Sequence, residues 1–252
     1  DGTITWVADA AALGLAASSL ARLHSMDLDS DGCVLVSVAK DDQVYVVKNS
    51  DKTAGGWTNA ANYPKQITAV ADGYHSRVLA LGSGAWYCVY GETNVYVRGR
   101  FWNGTTLAAI EDISSQLLQA WYRISATQYN GVLEVAWYCA NGVYTRRRAA
   151  DGTWGSVLPC APGVDATLVP LIIATSARTY CFFLNNGTAY YKTSVGGAAW
   201  SGATALASDT YPSPDLISAS EGAENGKVRL QAVTGSGVYS IDYYEVQAGT
   251  PP

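Results

Sequence analysis

The sequence contains little that would mark a membrane-spanning or nucleic-acid-binding protein. No uninterrupted apolar run reaches the roughly 18 residues that a membrane-spanning helix needs, so no segment is predicted to enter a membrane. Charged residues make up only 15% of the 252 residues, and the formal net charge is −5. Nucleic-acid-binding proteins carry a basic face, so neither nucleic acid nor a membrane is expected as a partner.

Recognised catalytic and metal-binding patterns are also missing. The two histidines, His24 and His75, cannot form a zinc site on their own, because such sites take three or four protein ligands. No Gly-x-Ser-x-Gly elbow, phosphate-binding glycine loop or dinucleotide fingerprint occurs. We therefore name no catalytic residue, metal or cofactor, and an enzymatic function is the less favoured one.

The five cysteines do not form a disulfide pattern. Three of them, Cys88, Cys139 and Cys181, occupy equivalent positions in the chain. Equivalent positions in successive repeats usually lie too far apart to bridge. Buried free thiols are the favoured interpretation, and a disulfide involving Cys33 or Cys160 stays open.

What the chain does contain is a repeat, in which Val or Ala followed by Tyr recurs at nearly equal intervals. The five tyrosines are Tyr45, Tyr96, Tyr144, Tyr190 and Tyr239, separated by 51, 48, 46 and 49 residues. Short β-prone runs separated by Asn-Gly and Asp-Gly turn signals fill the intervals. A period of about 40 to 50 residues with four strands per unit is typical of β-propellers.

Two further features keep the same period. After each of the first four tyrosines comes a Trp, and further on a short strand with a small residue at its centre. The Trp residues are Trp57, Trp102, Trp154 and Trp200. The short strands are residues 67–69, 124–126, 173–175 and 217–219, and residues 23–25 fit the same place in the first repeat. We assign these strands to the propeller axis, where crowding favours Ala and Ser.

The fifth repeat lacks its Trp, and the missing piece stands at the start of the chain. Residues 1–6 (DGTITW) are similar to residues 151–154 (DGTW). The sequence therefore predicts an all-β fold, a five-bladed β-propeller with repeats of about 48 residues, whose ring is closed by its N-terminal strand. Residues 1–252 are interpreted as a single propeller domain. Because the chain starts at Asp1 without Met, we expect it to be a segment of a longer protein.

Across the whole chain the repeat pattern resembles two groups of propeller lectins. One is the five-bladed tachylectin type. The other is the family of bacterial fucose-binding propellers with a recurrent Gly-Trp turn, which residues 130–154 resemble most. Residues 50–57 (SDKTAGGW) also resemble the Asp-box of sialidase-like propellers, with a different spacing between Asp and Gly. The resemblance implies a lectin-like propeller and does not identify a sugar.

The recurring Trp residues and their polar neighbours are the candidate ligand-binding residues. Sugars stack on aromatic faces and form hydrogen bonds with amides, hydroxyls and carboxylates. The candidate set is Trp57, Asn59, Trp102, Asn103, Asp151, Trp154 and Trp200. Packing between blades explains any one of these Trp residues equally well.

Two other groups of residues leave alternatives open. A glycoside hydrolase needs two converging carboxylates, and the acids to consider are Asp27, Asp29, Asp72, Glu134 and Glu221. Cations follow the repeated tyrosines at Lys48, Arg98, Arg146 and Lys192, extended by Arg147 and Arg148. They form either a ring of cations for anionic sugars or an outward strand face, and the second interpretation is favoured.

The favoured function is a carbohydrate-binding, lectin-like propeller module of an extracellular adhesin, secreted lectin or phage tail-fibre protein. Its partners would be glycans, and its location would be extracellular or on a virion surface. The alternatives are a glycoside hydrolase with central carboxylates and a structural or protein-binding domain that contacts other chains of a larger assembly. The turns near the Trp residues differ in all five repeats, so one or two sites, or none, are expected.

Overall fold

The computed structural model describes residues 13–15, 22–41, 43–50, 57–68, 73–92, 96–115, 124–139, 141–164, 170–186, 188–206, 216–219, 227–234 and 240–247. These residues form strands, turns and extended segments, and none of them lies in a helix. Within these ranges, therefore, no helix is long and apolar enough to cross a membrane.

The strands form antiparallel sheets in which each strand pairs with the next one along the chain. The first sheet contains β1 (Arg22–Leu28), β2 (Val34–Lys40), β3 (Gln43–Lys48) and β4 (Lys65–Gln66). The second contains β5 (Gly73–Gly82), β6 (Ala85–Glu92), β7 (Val97–Trp102) and β8 (Glu111–Asp112). The third contains β9 (Ile124–Tyr129), β10 (Val132–Cys139), β11 (Gly142–Arg148) and β12 (Leu158–Pro162). The fourth contains β13 (Leu171–Ala174), β14 (Thr179–Asn185), β15 (Thr188–Ser194) and β16 (Thr204–Ala205). The fifth contains β17 (Leu216–Ala219), β18 (Lys227–Thr234) and β19 (Ser240–Gln247).

The sheets are distributed over two compact units. One unit, Asp1–Thr93 with Val97–Ile113, contains the first two sheets. The other, Asn94–Tyr96 with Ser114–Pro252, contains the remaining three. Residues 1–6, which carry the predicted closing strand, lie outside the described residues. Ring closure and a single domain over residues 1–252 therefore stay predictions.

In the first four sheets, the repeated tyrosine lies in the third strand or directly before it. Tyr45, Tyr144 and Tyr190 lie in β3, β11 and β15, and Tyr96 directly precedes β7. The fifth tyrosine, Tyr239, is outside the described residues. One repeat of the sequence thus corresponds to one antiparallel sheet, as the period predicted.

Hydroxyl groups on the first strands connect neighbouring sheets within each unit. In the first unit the Val78 N–H donates to Ser25 Oγ at 2.9 Å. In the second unit the Ile172 N–H donates to Ser125 Oγ at 3.2 Å. Ser25 and Ser125, small residues within two of the predicted short strands, therefore satisfy backbone donors of the next sheet, which would otherwise be buried without a partner.

One of the predicted short strands, residues 67–69, is wrong. The structure places Ile67 after β4, fully buried, with its N–H donating to Val44 O at 2.8 Å. Thr68 Oγ1 accepts a hydrogen bond from the Val44 N–H at 3.1 Å. This segment therefore completes the first sheet, and β5 is the first strand of the second sheet. The Ile-Thr-Ala pattern is similar to that of a first strand, because Ile67 and Thr68 at the end of the first sheet are buried as first strands are.

All five cysteines are free and buried. This agrees with the favoured interpretation for Cys88, Cys139 and Cys181, and it includes Cys33 and Cys160, whose state the sequence left open. Burial raises the pKa of the Cys88 thiol far above its usual range. A hydrogen bond with Cys160, together with burial, raises the pKa of the Cys181 thiol. The reactive thiolate form of Cys88 and Cys181 is therefore scarce in the folded protein.

We expect iodoacetamide to modify none of the five cysteines within minutes in the native protein. In urea without a reductant, all five should react, because unfolding exposes them to the reagent. The measurement is intact-protein mass spectrometry of the two samples. Three modified residues in urea, rising to five after reduction, would instead reveal a disulfide and contradict the free-thiol assignment.

Candidate functional site

A cavity of about 360 Å³ lies between the third and fourth sheets. Its lining comes from the β9–β10 turn, β10, the end of β11, the β13–β14 loop and the turn after β15. The lining residues with polar or aromatic groups for a ligand are Tyr129, Asn130, Glu134, Arg147, Thr175, Ser176, Arg178 and Thr179. This volume falls within the range of about 300 to 1,000 Å³ that small-molecule sites occupy.

The β9–β10 turn places an aromatic ring at this cavity. Asn130 and Gly131 both have positive φ, 50° and 78°, as the central residues of a tight two-residue hairpin turn require. Asn-Gly is the preferred pair for that turn, so the sequence determines it locally. The turn holds Tyr129 opposite Val132, and the Tyr129 side chain remains 39% exposed.

The centre of the site is an ion pair between two adjacent strands. Glu134 on β10 and Arg147 on β11 are directly opposite each other in the register of the third sheet. Arg147 Nη1 lies 3.4 Å from Glu134 Oε1. Thr179 Oγ1, on β14 of the next sheet, donates to the same oxygen at 3.3 Å. Residues of opposite charge that face each other across two strands stabilise the pairing of those strands.

The Glu134 carboxyl group is almost completely buried, with 5% of its surface exposed. Burial raises the pKa of Glu134 to about 7, although Arg147 and Thr179 both act to lower it. Desolvation penalises the charged form of an acid, so this carboxyl changes its protonation state close to neutral pH.

A glycine allows Arg147 to reach this position. Gly197, in the turn after β15, has a φ of 83°, which favours glycine. A Cβ atom on Gly197 would lie 2.8 Å from Arg147 Cδ, closer than real Cβ contacts. The bare glycine backbone therefore leaves the space along which the arginine side chain extends.

The Glu134–Arg147 combination occurs in one sheet of the described structure. Counting from the repeated tyrosine, we find no carboxylate–cation pair at the corresponding cross-strand positions of the other described sheets. Those positions hold Leu35–Lys48, Val89–Gly99, Tyr180–Thr193 and Ala232–Asp242. The arrangement therefore belongs to the third repeat and is not a property of every repeat.

No protein-family model matches this sequence, and no curated protein matches it by sequence. Its similarity to solved structures is clear at the level of the fold. A mutant of AofleA from Arthrobotrys oligospora, with three arginines changed to alanine, has a TM-score of 0.58 at 12% identity, covering 91% of this chain and 70% of that chain. An Asn-to-Gln mutant of the Aleuria aurantia lectin, in complex with α-methyl-L-fucoside, has a TM-score of 0.53 at 14% identity, covering 90% and 78%. The Penicillium chrysogenum α-L-arabinanase, in complex with arabinobiose, has a TM-score of 0.52 at 13% identity, covering 90% and 76%.

These neighbours are β-propellers, and four of the described sheets of this chain are four-stranded and antiparallel. The chain has a β-propeller fold. At these identities the likeness establishes the fold and not the ligand. The propeller lectins among the neighbours agree with the resemblance seen in the repeat pattern.

The predicted ligand-binding residues of the propeller's first unit contact other protein groups. Trp57 Nε1 donates to Asn59 Oδ1 at 2.7 Å, and the half-buried Trp57 ring packs against the core cluster that contains Val36, Val38 and Val47. Trp102 is 8% exposed and stacks on Trp86 with ring centroids 6.0 Å apart. Asn103 is exposed, and its Oδ1 accepts hydrogen bonds from the N–H groups of Thr105 and Thr106. Core packing or turn formation is sufficient to explain each of these contacts.

The predicted residues of the second unit are placed similarly. The exposed Asp151 accepts hydrogen bonds from the Thr153 N–H and hydroxyl, and these bonds lower the pKa of Asp151. The Arg146 guanidinium lies 5.4 Å from the Trp154 ring centroid. Trp200 Nε1 donates to Thr145 Oγ1 at 2.9 Å, which joins the fourth sheet to the third.

None of the seven predicted residues lines the described cavity. Their role in ligand binding stays a prediction that the glycan experiment below can test. From the sequence, Glu134 was predicted only as one of five acids that a glycoside hydrolase could use, and Arg147 only as part of a cluster of cations. The sequence did not indicate Tyr129, Thr175, Arg178 or Thr179. A single charged residue inside the apolar run of β10, VLEVAWYC, is the signal that pointed to Glu134.

The repeated cations of the propeller have partners within the protein. Lys48 pairs with Asp29 on the first sheet. Arg98 pairs with Glu92 and with Asp112, and Lys192 Nζ donates to Cys160 O at 2.7 Å. Each of these cations is engaged within its own unit. These contacts favour the interpretation that the repeated cations form an outward strand face, and they argue against a ring of cations that binds anionic sugars. Among the described residues, no group of three or more His, Cys, Asp or Glu could hold a metal ion.

Proposed function

We propose that this chain is a carbohydrate-binding, lectin-like propeller module and that its site is the cavity around Glu134 and Arg147. The observation that carries the proposal is the cross-strand ion pair of the buried Glu134 with the partly exposed Arg147, which lines this cavity with the Tyr129 ring. A carboxylate accepts hydrogen bonds from sugar hydroxyls, and a guanidinium donates to hydroxyl and ring oxygens. Tyr129 offers an aromatic surface for the C–H face of a sugar.

The walls of the cavity add further groups of the same kind. Asn130 and Ser176 are exposed, and both line the cavity with polar side chains. Val195, 52% exposed, adds an apolar surface. Convergent polar groups beside aromatic and apolar surface are what recognition of a small polar ligand requires.

The glycoside hydrolase remains the second candidate because of one observation on Glu134. Burial raises the pKa of this carboxyl to about 7, a value that suits a general acid. Hydrolysis of a glycosidic bond needs a second carboxyl group about 5 to 10 Å away. Glu134 is the one carboxyl group among the described lining residues, which favours binding over hydrolysis.

The setting that we propose is extracellular or a virion surface, in an adhesin, a secreted lectin or a phage tail-fibre protein. The low share of charged residues, 15%, and the abundance of Tyr, 17 residues, support a surface built for contact with glycans. Other chains of a larger assembly are proposed as further partners.

Replacing Arg147 with Ala should weaken glycan binding at least tenfold. Losing a charge-assisted hydrogen bond costs about 1.5 to 3 kcal/mol, and each 1.4 kcal/mol is a factor of about ten in affinity. A glycan array with the purified wild-type protein identifies the ligands, and calorimetry then compares the variants.

Arg146→Ala is the matched control, because Arg146 is adjacent on the same strand and does not line the cavity. Its affinity should stay within about twofold of the wild type. A Trp154→Ala variant tests the site predicted from the repeat pattern. If Trp154→Ala abolished binding while Arg147→Ala kept full affinity, the cavity would be the wrong site. An array without any bound glycan would refute the lectin proposal itself.

A further inference from the structure

The described lining of the cavity contains more positive than negative charge. Arg147 and Arg178 contribute two guanidinium groups, and Glu134 contributes one carboxyl. Arg147 uses its Nη1 to pair with Glu134. Among the described residues, no acidic side chain pairs with Arg178. The second guanidinium is therefore not neutralised by a described neighbour.

Part of the Arg178 guanidinium is also buried without a hydrogen bond. Its Nε atom is inaccessible to solvent and has no hydrogen-bond partner among the described residues. A buried donor without a partner costs about 1 to 3 kcal/mol, and more when the group is charged. A ligand acceptor would pair with the terminal N–H groups of this guanidinium, because the inaccessible Nε cannot be reached from the cavity.

The backbone at Arg178 is fixed by the side chain of Thr175. Thr175 Oγ1 accepts from the Arg178 N–H at 3.2 Å and donates to Arg178 O at 2.9 Å. The Thr175 N–H also donates to Arg178 O at 3.0 Å. This closed turn joins β13 to β14 and holds Arg178 at the cavity before any ligand arrives. Preorganisation of this kind reduces the entropy lost on binding.

We propose that the cavity prefers a saccharide unit that carries an anionic group, a carboxylate or a sulfate, and that Arg178 binds that group. This inference rests on the lectin function proposed above and names its class of ligand. Guanidinium groups bind planar and tetrahedral oxyanions through paired N–H donors. A neutral sugar would leave the charge of Arg178 uncompensated.

The titratable groups that line the cavity or pack against Glu134 determine how the preference for an anionic sugar depends on pH. Arg147 on β11 and Arg178 in the β13–β14 loop stay cationic, and on β14 the hydrogen bond with Cys160 and burial keep the Cys181 thiol neutral by raising its pKa. Glu134 is the group that titrates, because burial raises its pKa to about 7. Protonation of Glu134 removes a negative charge from the cavity. An anionic ligand should therefore bind several-fold more tightly at pH 6 than at pH 8.

The test uses sugars that differ in a single group. Calorimetry would measure the methyl glycosides of galactose, galacturonic acid and galactose 6-sulfate, and the corresponding glucose series, with the wild-type protein. We expect one anionic sugar to bind at least tenfold more tightly than its neutral counterpart. The carboxylate and sulfate arms identify which anionic group the site takes.

Arg178→Gln should reduce the preference for the anionic sugar to about twofold. Arg178→Lys should retain part of the preference, because it keeps the charge and loses the fork of donors. Tighter binding of neutral sugars, or a preference that Arg178→Gln leaves intact, would overturn the inference and leave the lectin proposal standing. Absence of binding to any sugar of either kind would overturn both.

Discussion

Glu134→Gln is expected to raise the free energy of unfolding by up to about 3 kcal/mol at pH 8 and to leave it nearly unchanged at pH 4. The reason is that burial raises the pKa of Glu134 from 4.5 to about 7. One unit of pKa difference between the folded and unfolded states corresponds to about 1.4 kcal/mol. Gln keeps the size of the side chain and does not ionise.

The pH range follows from the direction of this shift. Below pH 4.5 the carboxyl is protonated in both states, and the folded state keeps the full benefit of the neutral form. Between pH 4.5 and about 7 the unfolded state ionises while the folded state holds its proton, so stability is lost as the pH rises. Above pH 7 the loss is complete.

The measurement is urea-induced unfolding of the wild type and the Glu134→Gln variant at pH 4, 6 and 8. Asp151→Asn is the control with the opposite sign, because hydrogen bonds from Thr153 lower the pKa of the exposed Asp151. That variant should lose stability at pH 8 and recover it at acid pH, by a smaller amount. A Glu134→Gln difference that stayed constant from pH 4 to pH 8 would contradict the assigned pKa.

Trp86→Ala is expected to cost about 4 kcal/mol of folding free energy, the largest stability loss that we predict. Trp86 is 1% exposed and lies in the core cluster shared by the first two sheets. Truncating a buried Trp to Ala leaves a large cavity and costs about 3 to 5 kcal/mol. The variant also loses the stack on Trp102 and the hydrogen bond from Trp86 Nε1 to Tyr63 Oη, 2.9 Å long.

Tyr63→Phe separates the hydrogen bond from the packing. It removes only the hydroxyl that accepts from Trp86 and should cost about 1 to 3 kcal/mol, because the indole N–H stays buried without a partner. Equal losses for Trp86→Ala and Tyr63→Phe in urea unfolding would show that ring packing contributes little, against our prediction.

The stability of a Trp102 variant in urea should be measured before a role of Trp102 in ligand binding is inferred. Its ring packs on Trp86, and Lys65 Nζ lies 4.2 Å from its centroid. A Trp102→Ala variant should therefore lose stability as well. A loss of glycan binding in that variant counts as evidence for a site only when the folded fraction is unchanged.

The architecture was predictable because the repeat signals reflect strand geometry. The spacing of Tyr45, Tyr144 and Tyr190 places each in a third strand, since a period of about 48 residues accommodates one four-stranded sheet. The error at residues 67–69 arose because a buried Ile followed by Thr suits both the start and the end of a sheet. The backbone hydrogen bond from the Ile67 N–H to Val44 O shows that this segment is the end of the first sheet.

The candidate site was predictable only in part. Glu134 is conspicuous in the sequence because the rest of its strand is apolar. Arg178 gives no such signal, since it follows Ala177 in a loop, and its place in the same cavity lining as Glu134 depends on how the fourth sheet packs on the third. The repeated Trp residues attracted attention through their period, yet a feature common to all repeats reflects the fold before it reflects a ligand.

The serine hydroxyls between neighbouring sheets also affect how this protein behaves at high concentration. A first strand lies at the edge of its sheet, and an edge with open N–H groups can pair with a strand from another molecule and begin aggregation. Ser25 and Ser125 accept hydrogen bonds from such N–H groups, those of Val78 and Ile172. Short hydroxyl side chains thereby occupy donors that a foreign strand would need, and they do so without adding charge to a chain that has little of it.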